Sequence, residues 1–307
     1  MWTLNRDESF EFLDAYANLF DHPVLDTADS YVQWVNGKKG GESETVIGDW
    51  LSRSTNRKSI FLCTKIGKKM DRQGLGYQNI ISATYESLRR LQTDYVDLLM
   101  LHSWIDGANF LEVVRALEFL QKNGALRYFG VSNFPQNALK IIHEELLARL
   151  GVGISFVQYH YNLIERDSTK IIFDNYSSRS NFGFESDILP WVEENDVILM
   201  PYHPLARGFL SEKYLNDSGF ENSIHSERVK KYLNFNVTPL LSELKELSDK
   251  YNSQIPNIAL AWLNSRGKYV LPVVSFSSVE QMTNLSTQPI LELDDINTLT
   301  RLSCEIA

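Results

Sequence analysis

Short apolar segments alternate with longer amphipathic segments along almost the whole chain, and this alternation limits the possible folds more than any other feature. Several of the short segments are apolar throughout, as in parallel strands that are covered on both faces. They occupy residues 24–28, 60–66, 96–102, 128–133, 154–162, 197–204 and 269–275. The helical patterns between and around them cover residues 8–20, 44–53, 77–91, 110–123, 135–150, 186–195, 238–251 and 256–266. Strand–helix units repeated in this way predict a parallel α/β fold.

Two α/β architectures compete for this pattern, an open doubly wound sheet and a closed (β/α)8 barrel. A doubly wound dinucleotide-binding sheet is expected to carry GxGxxG directly after an early strand, and the sequence has no such motif. A barrel needs eight strands, whereas seven are visible, and only residues 1–5 remain before the first helix. We therefore predict an α/β fold, a (β/α)8 TIM barrel whose first strand is truncated or missing at the N-terminus.

The domain organisation follows from the absence of any linker-like or low-complexity stretch. We predict one domain over residues 1–307, a length that a single barrel accommodates. Residues 166–186 (RDSTKIIFDNYSSRSNFGFES) are longer than a barrel connection requires, which predicts an insertion there. A plain surface insertion is the simpler interpretation. Because the segment follows the C-terminal end of a strand, where barrel active sites lie, a flap or partner contact is the alternative.

Charge and cysteine content exclude several classes of protein. Lys plus Arg number 30 against 39 for Asp plus Glu, a net charge of −9, which argues against a general nucleic-acid or anionic-membrane surface. The two cysteines, Cys63 and Cys304, provide neither a disulfide framework nor zinc-ligand spacing, so we predict no metal. The N-terminus has no apolar signal core, and no apolar run approaches 18 residues. We expect a reduced, cytoplasmic protein with no membrane or nucleic-acid partner.

Four chemically complementary side chains lie at or just after three successive strand ends. Asp26 and Tyr31 follow the first visible strand, Lys65 lies near the end of the second, and His102 ends the third. An ammonium group near a phenol lowers its pKa, and a carboxylate holds the ammonium charged. A neutral imidazole can donate to a substrate oxygen. The set predicts a proton-donating site suited to carbonyl reduction, and since none of these groups supplies hydride, it implies a nicotinamide cofactor.

With these residues in place, the chain resembles the aldo-keto reductase family over essentially its whole length. The motifs that carry the resemblance occur in the family's order, at residues 26–31 (DTADSY), 41–48 (GESETVIG), 87–98 (SLRRLQTDYVDL), 130–134 (GVSNF), 161–166 (YNLIER), 204–210 (PLARGFL) and 277–281 (SSVEQ). The resemblance implies a (β/α)8 barrel that binds NADP(H) or NAD(H) at its C-terminal mouth.

The resemblance also implies a role for each matching residue. Tyr31 is expected to be the general acid/base, Lys65 to lower its pKa, Asp26 to pair with Lys65, and His102 to orient the carbonyl. The expected cofactor contacts are Ser132, Asn133 and Gln158 at the nicotinamide carboxamide, Tyr202 stacked on the nicotinamide ring, Leu205 and Arg207 over the pyrophosphate, and Ser275, Ser277 and Gln281 at the adenosine end. Trp104, two residues after His102, is expected to line the substrate pocket.

The chain departs from the family pattern in two places. Family members carry a glycine-containing first strand, of which residues 1–3 match only the last fragment, and we expect a shortened coding sequence, with an altered barrel as the alternative. The family also places Lys or Arg near the 2′-phosphate of NADP, but residues 269–300 contain neither, and Ser275 replaces the usual glycine. Charge-assisted hydrogen bonds are roughly twice as strong as neutral ones, so we predict that NAD is used comparably to NADP or better. Glu280 is a candidate acceptor for a free ribose hydroxyl.

The sequence thus predicts an NAD(P)-dependent oxidoreductase that reduces aldehydes or ketones to alcohols, or catalyses the reverse reaction. Hydride comes from the nicotinamide and the proton from Tyr31. The partner is a small-molecule carbonyl or alcohol substrate. The alternative is a catalytically weak, cofactor-binding regulatory subunit of the same fold, as potassium-channel β subunits in this family illustrate.

Overall fold

A computed structural model describes residues 4–53, 57–166, 183–215 and 229–306. Its α-helices are α1 Arg6–Leu19, α2 Glu42–Leu51, α3 Tyr77–Leu91, α4 Phe110–Lys122, α5 Gln136–Leu150, α6 Leu189–Glu194, α7 Thr238–Lys250, α8 Ile255–Asn264, α9 Val279–Asn284 and α10 Leu293–Cys304. Its strands are β1 Val24–Asp26, β2 Phe61–Ile66, β3 Lys68–Lys69, β4 Arg72–Gln73, β5 Val96–Leu101, β6 Leu126–Ser132, β7 Ile154–His160 and β8 Ile198–Tyr202. None of the helices in the described ranges is long and apolar enough to cross a membrane.

The chain divides into two compact units. The first contains Met1–Val157 and Phe276–Met282, and the second contains Gln158–Ser275 and Thr283–Ala307. The two units differ in which residues contact one another, and this does not test whether they are separate domains. The assignment of a single domain therefore stays a prediction.

Parallel strands form the centre of the first unit. Their order in the sheet is β1-β2-β5-β6-β7, which is also their order in the chain. Each neighbouring pair is therefore joined by a crossover that contains a helix, and the crossover between β1 and β2 has a long loop before its helix, α2. The register places Asp26 beside Cys63 and Lys65 beside Met100. Every residue of β5 is buried, as in parallel strands with both faces covered. The register therefore brings the C-terminal ends of β1, β2 and β5 to one edge of the sheet.

The outer edge of β1 is occupied by a side chain of α1. In a parallel pair alternate residues point their backbone groups to the neighbouring strand, and Val24 points its groups away from β2. The Val24 N–H donates to the Tyr16 hydroxyl oxygen over 3.1 Å, and that hydroxyl donates to the Val24 carbonyl over 2.8 Å. The first-strand fragment at residues 1–3 lies outside the described residues.

The second unit starts in the last residues of β7 and continues with β8, its neighbour in strand order. The regular strand predicted at residues 269–275 is not formed. Two isolated parallel bridges take its place, Leu199 with Val270 and Tyr202 with Val273. The Leu199 N–H donates to the Tyr269 carbonyl, the Leu271 N–H to that of Leu199, and the Val273 N–H to that of Pro201. The bond that would complete this series needs an N–H at residue 201, which proline lacks, so continuous hydrogen bonding is interrupted.

The predicted insertion at 166–186 falls mostly outside the described residues, which stop at 166 and resume at 183. Both flanks are held together. Arg166 makes a two-pronged ion pair with Glu185, with Nε to Oε1 at 2.9 Å and Nη2 to Oε2 at 2.5 Å. Tyr161 also donates to Glu185. The two described ends on either side of residues 167–182 are therefore fixed to each other.

Candidate active site

The segment after β1 continues alongside β2 before it turns, and this sets the spacing between Asp26 and Tyr31. The Thr27 N–H donates to the Cys63 carbonyl and the Asp29 N–H to the Lys65 carbonyl, both over 2.9 Å. A turn follows, with the Tyr31 N–H donating to the Ala28 carbonyl over 3.3 Å. Asp26 and Tyr31, which are five positions apart in the sequence, are thereby both brought to the end of β2.

Lys65 and Asp26 form a buried ion pair at the ends of β2 and β1. The Lys65 ammonium lies 2.7 Å from each Asp26 carboxylate oxygen and donates to the Thr27 carbonyl over 2.8 Å. The Lys65 side chain is fully buried and that of Asp26 is 9% exposed. Burial acts to lower the pKa of Lys65, but Asp26, with Tyr31 and Cys63, outweighs it and raises that pKa. The ammonium is therefore held charged.

Tyr31 lies against both members of this pair. Its hydroxyl donates to Asp26 Oδ2 over 3.2 Å, and the Lys65 ammonium lies 4.8 Å from the centre of its ring. Burial and then the Asp26 carboxylate raise the pKa of the phenol, while Lys65 acts in the lowering direction. The sequence led us to expect a lowered pKa. The net direction is the opposite because neither burial nor the Asp26 contact could be read from the spacing.

His102 lies beside Tyr31, and its imidazole is oriented by Ser30. The two rings are 5.9 Å apart between centres and nearly perpendicular, at 77°. Ser30 Oγ and His102 Nδ1 are hydrogen-bonded at 3.1 Å. Burial, followed by the charges of Lys65 and Lys68, lowers the pKa of His102 well below its usual value. The imidazole is therefore neutral at neutral pH, and a hydroxyl donor at Nδ1 would leave a proton on Nε2.

Ser132 ends β6, and Asn133, which follows it, contacts His102. The Asn133 amide donates to the His102 carbonyl over 3.4 Å and to Ser132 Oγ over 2.8 Å. Asn133 has a left-handed backbone, φ 55°, which Asn tolerates better than most residues. The structure thus brings together Asp26, Tyr31, Lys65, His102, Ser132 and Asn133 within the first unit.

Four of the predicted cofactor residues lie in the second unit on β7, on β8 and in the turn after it. Gln158 is buried within β7. Tyr202 ends β8 half-buried, with its ring stacked on His160. Leu205 precedes three consecutive residues with left-handed backbone, among them Arg207 at φ 59°. Such a tight turn of positive-φ residues is the kind of backbone that approaches a phosphate closely.

Neutral groups form the predicted adenosine end. Ser275, Ser277 and Gln281 are all exposed. The Ser277 N–H and hydroxyl donate to Gln281 Oε1 over 2.8 and 3.0 Å, and the Gln281 N–H donates to Ser278 Oγ over 3.1 Å. These hydroxyl and amide groups suit ribose hydroxyls, and they provide no cation for a 2′-phosphate.

Trp104 occupies a packed position after β5. Its indole stacks on Phe110 at 5.0 Å between ring centres and meets Phe134 edge-on at 5.3 Å. It is half-buried by these neighbours. These contacts neither assign nor exclude a substrate-facing surface, so its role stays a prediction.

The loop after Tyr31 contains residues that the sequence analysis missed. Trp34 is 52% exposed, and its ring meets the Tyr31 ring edge-on at 6.3 Å. Gln33 fixes the loop to the β3–β4 hairpin, since its side-chain carbonyl accepts from the Met70 N–H over 3.0 Å. Val32 is buried at φ 65°, which is a strained conformation for a β-branched residue. The tryptophan three residues after Tyr31 was the available signal.

No group of three or more His, Cys, Asp or Glu side chains in the described part of the chain could hold a metal ion.

Comparisons with known proteins add to this geometry. Residues 1–296 match the sequence model of the Aldo/keto reductase family. The chain is 28% identical to norsolorinic acid reductase of Aspergillus flavus, over 96% of this chain and 73% of that protein. It is 26% identical to an aryl-alcohol dehydrogenase of Pestalotiopsis microspora, over 92% of this chain and 68% of the relative. A thermostable aldo-keto reductase solved with the inhibitor epalrestat matches it with a TM-score of 0.67 at 23% identity, over 97% of this chain and 88% of that one. The predicted (β/α)8 barrel fold is confirmed.

Proposed function

As the resemblance predicted, this chain belongs to the Aldo/keto reductase family, and we propose that it is an NAD(P)H-dependent oxidoreductase that reduces aldehydes or ketones to alcohols. The family acts on small-molecule carbonyl substrates. The relatives to which this chain is similar are named as a reductase and a dehydrogenase. The observation that carries the proposal is the cluster of Asp26, Tyr31, Lys65 and His102, which combines a proton donor, a fixed buried cation and a neutral imidazole.

The proton transfer follows from the state of these groups. The raised pKa keeps the Tyr31 phenol protonated at neutral pH, so it is a donor. We infer that its hydroxyl turns from Asp26 to the carbonyl oxygen of the substrate, while His102 donates to the same oxygen through Nε2. The Lys65 ammonium stabilises the phenolate that remains, until solvent returns the proton. A raised phenol pKa favours reduction at neutral pH and oxidation of the alcohol at higher pH.

The cofactor, when bound, supplies a hydride to the carbonyl carbon, which balances the proton delivered to the oxygen. The residues that would hold it are Ser132, Asn133, Gln158 and Tyr202 at the nicotinamide, Leu205 and Arg207 at the pyrophosphate, and Ser275, Ser277 and Gln281 at the adenosine. The neutral adenosine end supports NAD as well as NADP. A reduced, cytoplasmic setting is part of the proposal, in keeping with the free thiols of Cys63 and Cys304.

Aromatic carbonyl compounds are the substrates that we propose first. Trp34 presents a half-exposed indole next to the Tyr31 ring, where it can contact a planar group attached to the carbonyl. The relative from Pestalotiopsis microspora is named an aryl-alcohol dehydrogenase, which supports the same class.

Steady-state turnover tests the proposal. The protein is assayed with NADH and NADPH against aryl and alkyl aldehydes, alongside Tyr31→Phe. We expect turnover in the wild type and a loss of at least about a hundredfold in the variant, since a positioned general acid contributes roughly 10²–10⁴-fold. Cofactor affinity should stay nearly unchanged. Cofactor binding without turnover on any carbonyl would instead indicate the regulatory subunit, and a fully active Tyr31→Phe would exclude the assigned proton donor.

A further inference from the structure

The end of β7 meets the end of β8 through a pair of stacked rings. The His160 imidazole and the Tyr202 phenol lie 5.2 Å apart between ring centres, with only 21° between their planes. His203 meets both rings edge-on, at 5.4 Å from His160 and 5.3 Å from Tyr202. The plane of the Tyr202 ring is thus set on one side by His160.

His160 is itself fixed from behind by a buried carboxylate. Its Nε2 lies 2.8 Å from Glu165 Oε2, and the two side chains are 3% and 0% exposed. Tyr232 donates its hydroxyl to the same oxygen over 2.8 Å. Burial acts to raise the pKa of Glu165, but His160 and the hydroxyl of Tyr232 outweigh it and lower that pKa, so the carboxylate stays ionised.

Asn162 lies beside His160 and Glu165 and is hydrogen-bonded to two backbone segments, one after β7 and one after β8. Its side-chain carbonyl accepts from the N–H groups of Ile164 and Glu165, both over 2.9 Å. Its amide donates to the His203 carbonyl over 3.0 Å. His203 has a left-handed backbone, φ 54°, so this bond holds the chain in a strained turn directly after Tyr202. The network therefore fixes both the ring behind Tyr202 and the backbone that follows it.

Tyr202 is half-buried, so its ring is not enclosed by these contacts. A ring held in one plane loses little conformational freedom when a planar ligand stacks on it, whereas a loose ring must first be ordered. Stacked aromatic pairs contribute about 0.5–1.5 kcal/mol beyond the area that they bury, which is roughly a two- to tenfold change in affinity.

We propose that His160, held by Glu165, is a positioning residue that fixes the Tyr202 ring as the platform for the nicotinamide. The inference rests on the proposed function, in which Tyr202 is the nicotinamide-stacking residue. It adds a three-residue support, Glu165, His160 and Tyr202, in which the first two never touch the cofactor.

The test separates the nicotinamide from the rest of the cofactor. Binding of the preferred dinucleotide is titrated alongside ADP-ribose, or 2′-phospho-ADP-ribose if NADP is preferred, since these ligands lack the nicotinamide. For His160→Ala we expect about five- to tenfold weaker binding of the dinucleotide and an unchanged Kd for the nicotinamide-free ligand. The nicotinamide-free ligand also reports whether the variant has folded.

Two further variants identify the route of the effect. His160→Phe keeps a flat ring, so it should recover most of the dinucleotide affinity that His160→Ala loses. His160→Ala should cause no further loss when it is added to Tyr202→Ala, because the two act through one contact. Equal weakening of both ligands by His160→Ala, or an additive double variant, would overturn the positioning role. Failure of the wild type to bind any nicotinamide dinucleotide would overturn the proposed function and this inference with it.

Discussion

The Tyr31 hydroxyl donates to Asp26 Oδ2 over 3.2 Å, so the proposed proton donor contacts the same carboxylate that neutralises Lys65. One carboxylate therefore has two effects: it keeps the lysine charged and it raises the pKa of the phenol.

Replacing Asp26 should leave an uncompensated cation in the core. For Asp26→Asn we expect a loss of about 3–5 kcal/mol in the free energy of unfolding, because Lys65 is fully buried. Lys65→Met should be costly for the opposite reason. The double variant removes both charges and should be less destabilised than the sum of the single variants, which urea unfolding can measure. Strict additivity would show that the two charges do not stabilise each other.

Asp29 should make stability depend on pH between about 4 and 7. It is buried, and burial followed by the charge of Glu44 raises its pKa to about 7, although Arg90, Lys69 and the Gly67 N–H act in the lowering direction. Below pH 4 both folded and unfolded forms are protonated. Between pH 4 and 7 only the unfolded form ionises, so stability falls as the pH rises, and above 7 the penalty is constant.

Asp29→Asn should therefore match the wild type in stability near pH 4 and exceed it above pH 7, by an amount on the order of 4 kcal/mol. The free energy of unfolding is measured for both proteins across this range. Asp21→Asn, which changes an exposed carboxylate, is the control and should show no such divergence. Parallel curves for Asp29→Asn and the wild type would contradict the prediction.

Val32 should reverse the usual order of alanine and glycine. Its left-handed backbone, φ 65°, costs an L-residue about 1–2 kcal/mol that glycine does not incur. Val32→Ala and Val32→Gly both lose the buried side chain, but only glycine relieves the strain. We expect Val32→Gly to be more stable than Val32→Ala by about 1 kcal/mol in thermal or chemical unfolding. The ordinary preference for alanine would indicate a relaxed backbone.

Trp34 should determine the preference for aromatic substrates. For Trp34→Ala we expect KM to rise several-fold for aryl aldehydes and to stay unchanged for short alkyl aldehydes, with kcat little affected, because the lost contact is to the substrate's ring. Tyr85→Ala, which removes another exposed aromatic from α3, is the matched control. An equal rise in KM for both classes would assign Trp34 to the structure of the loop instead.

The sequence predicts the strand ends better than the loops between them. Asp26, Lys65 and His102 could be identified because the C-terminal ends of parallel strands lie at one edge of a sheet. Recognising the strands in the sequence is enough to place these three residues there. The conformation of the Tyr31 loop could not, because it depends on Gln33 reaching a hairpin of two-residue strands, too short to leave a periodic pattern.

The direction of the Tyr31 pKa was not predictable for a related reason. The residue types indicate that the Lys65 cation lies near the phenol. They do not show that the phenol is buried or that its hydroxyl donates to Asp26, and these two features raise its pKa. The regular strand predicted at residues 269–275 failed for a more local reason, since its apolar pattern is regular but its neighbour Pro201 has no N–H to complete the ladder.

The neutral adenosine end should limit the preference for NADP. We expect the wild type to bind NADH as tightly as NADPH or tighter in fluorescence titrations, because residues 269–300 contain no Lys or Arg and Ser277 and Gln281 satisfy each other. Ser277→Arg places a guanidinium at an exposed position and should tighten NADPH binding about tenfold, with little change for NADH. Ser277→Gln, of similar reach and without charge, is the control. The gain should shrink as salt is added, since exposed charges are screened. Binding of NADPH to the wild type at least about tenfold tighter than NADH would show that backbone amides and hydroxyls alone hold the 2′-phosphate.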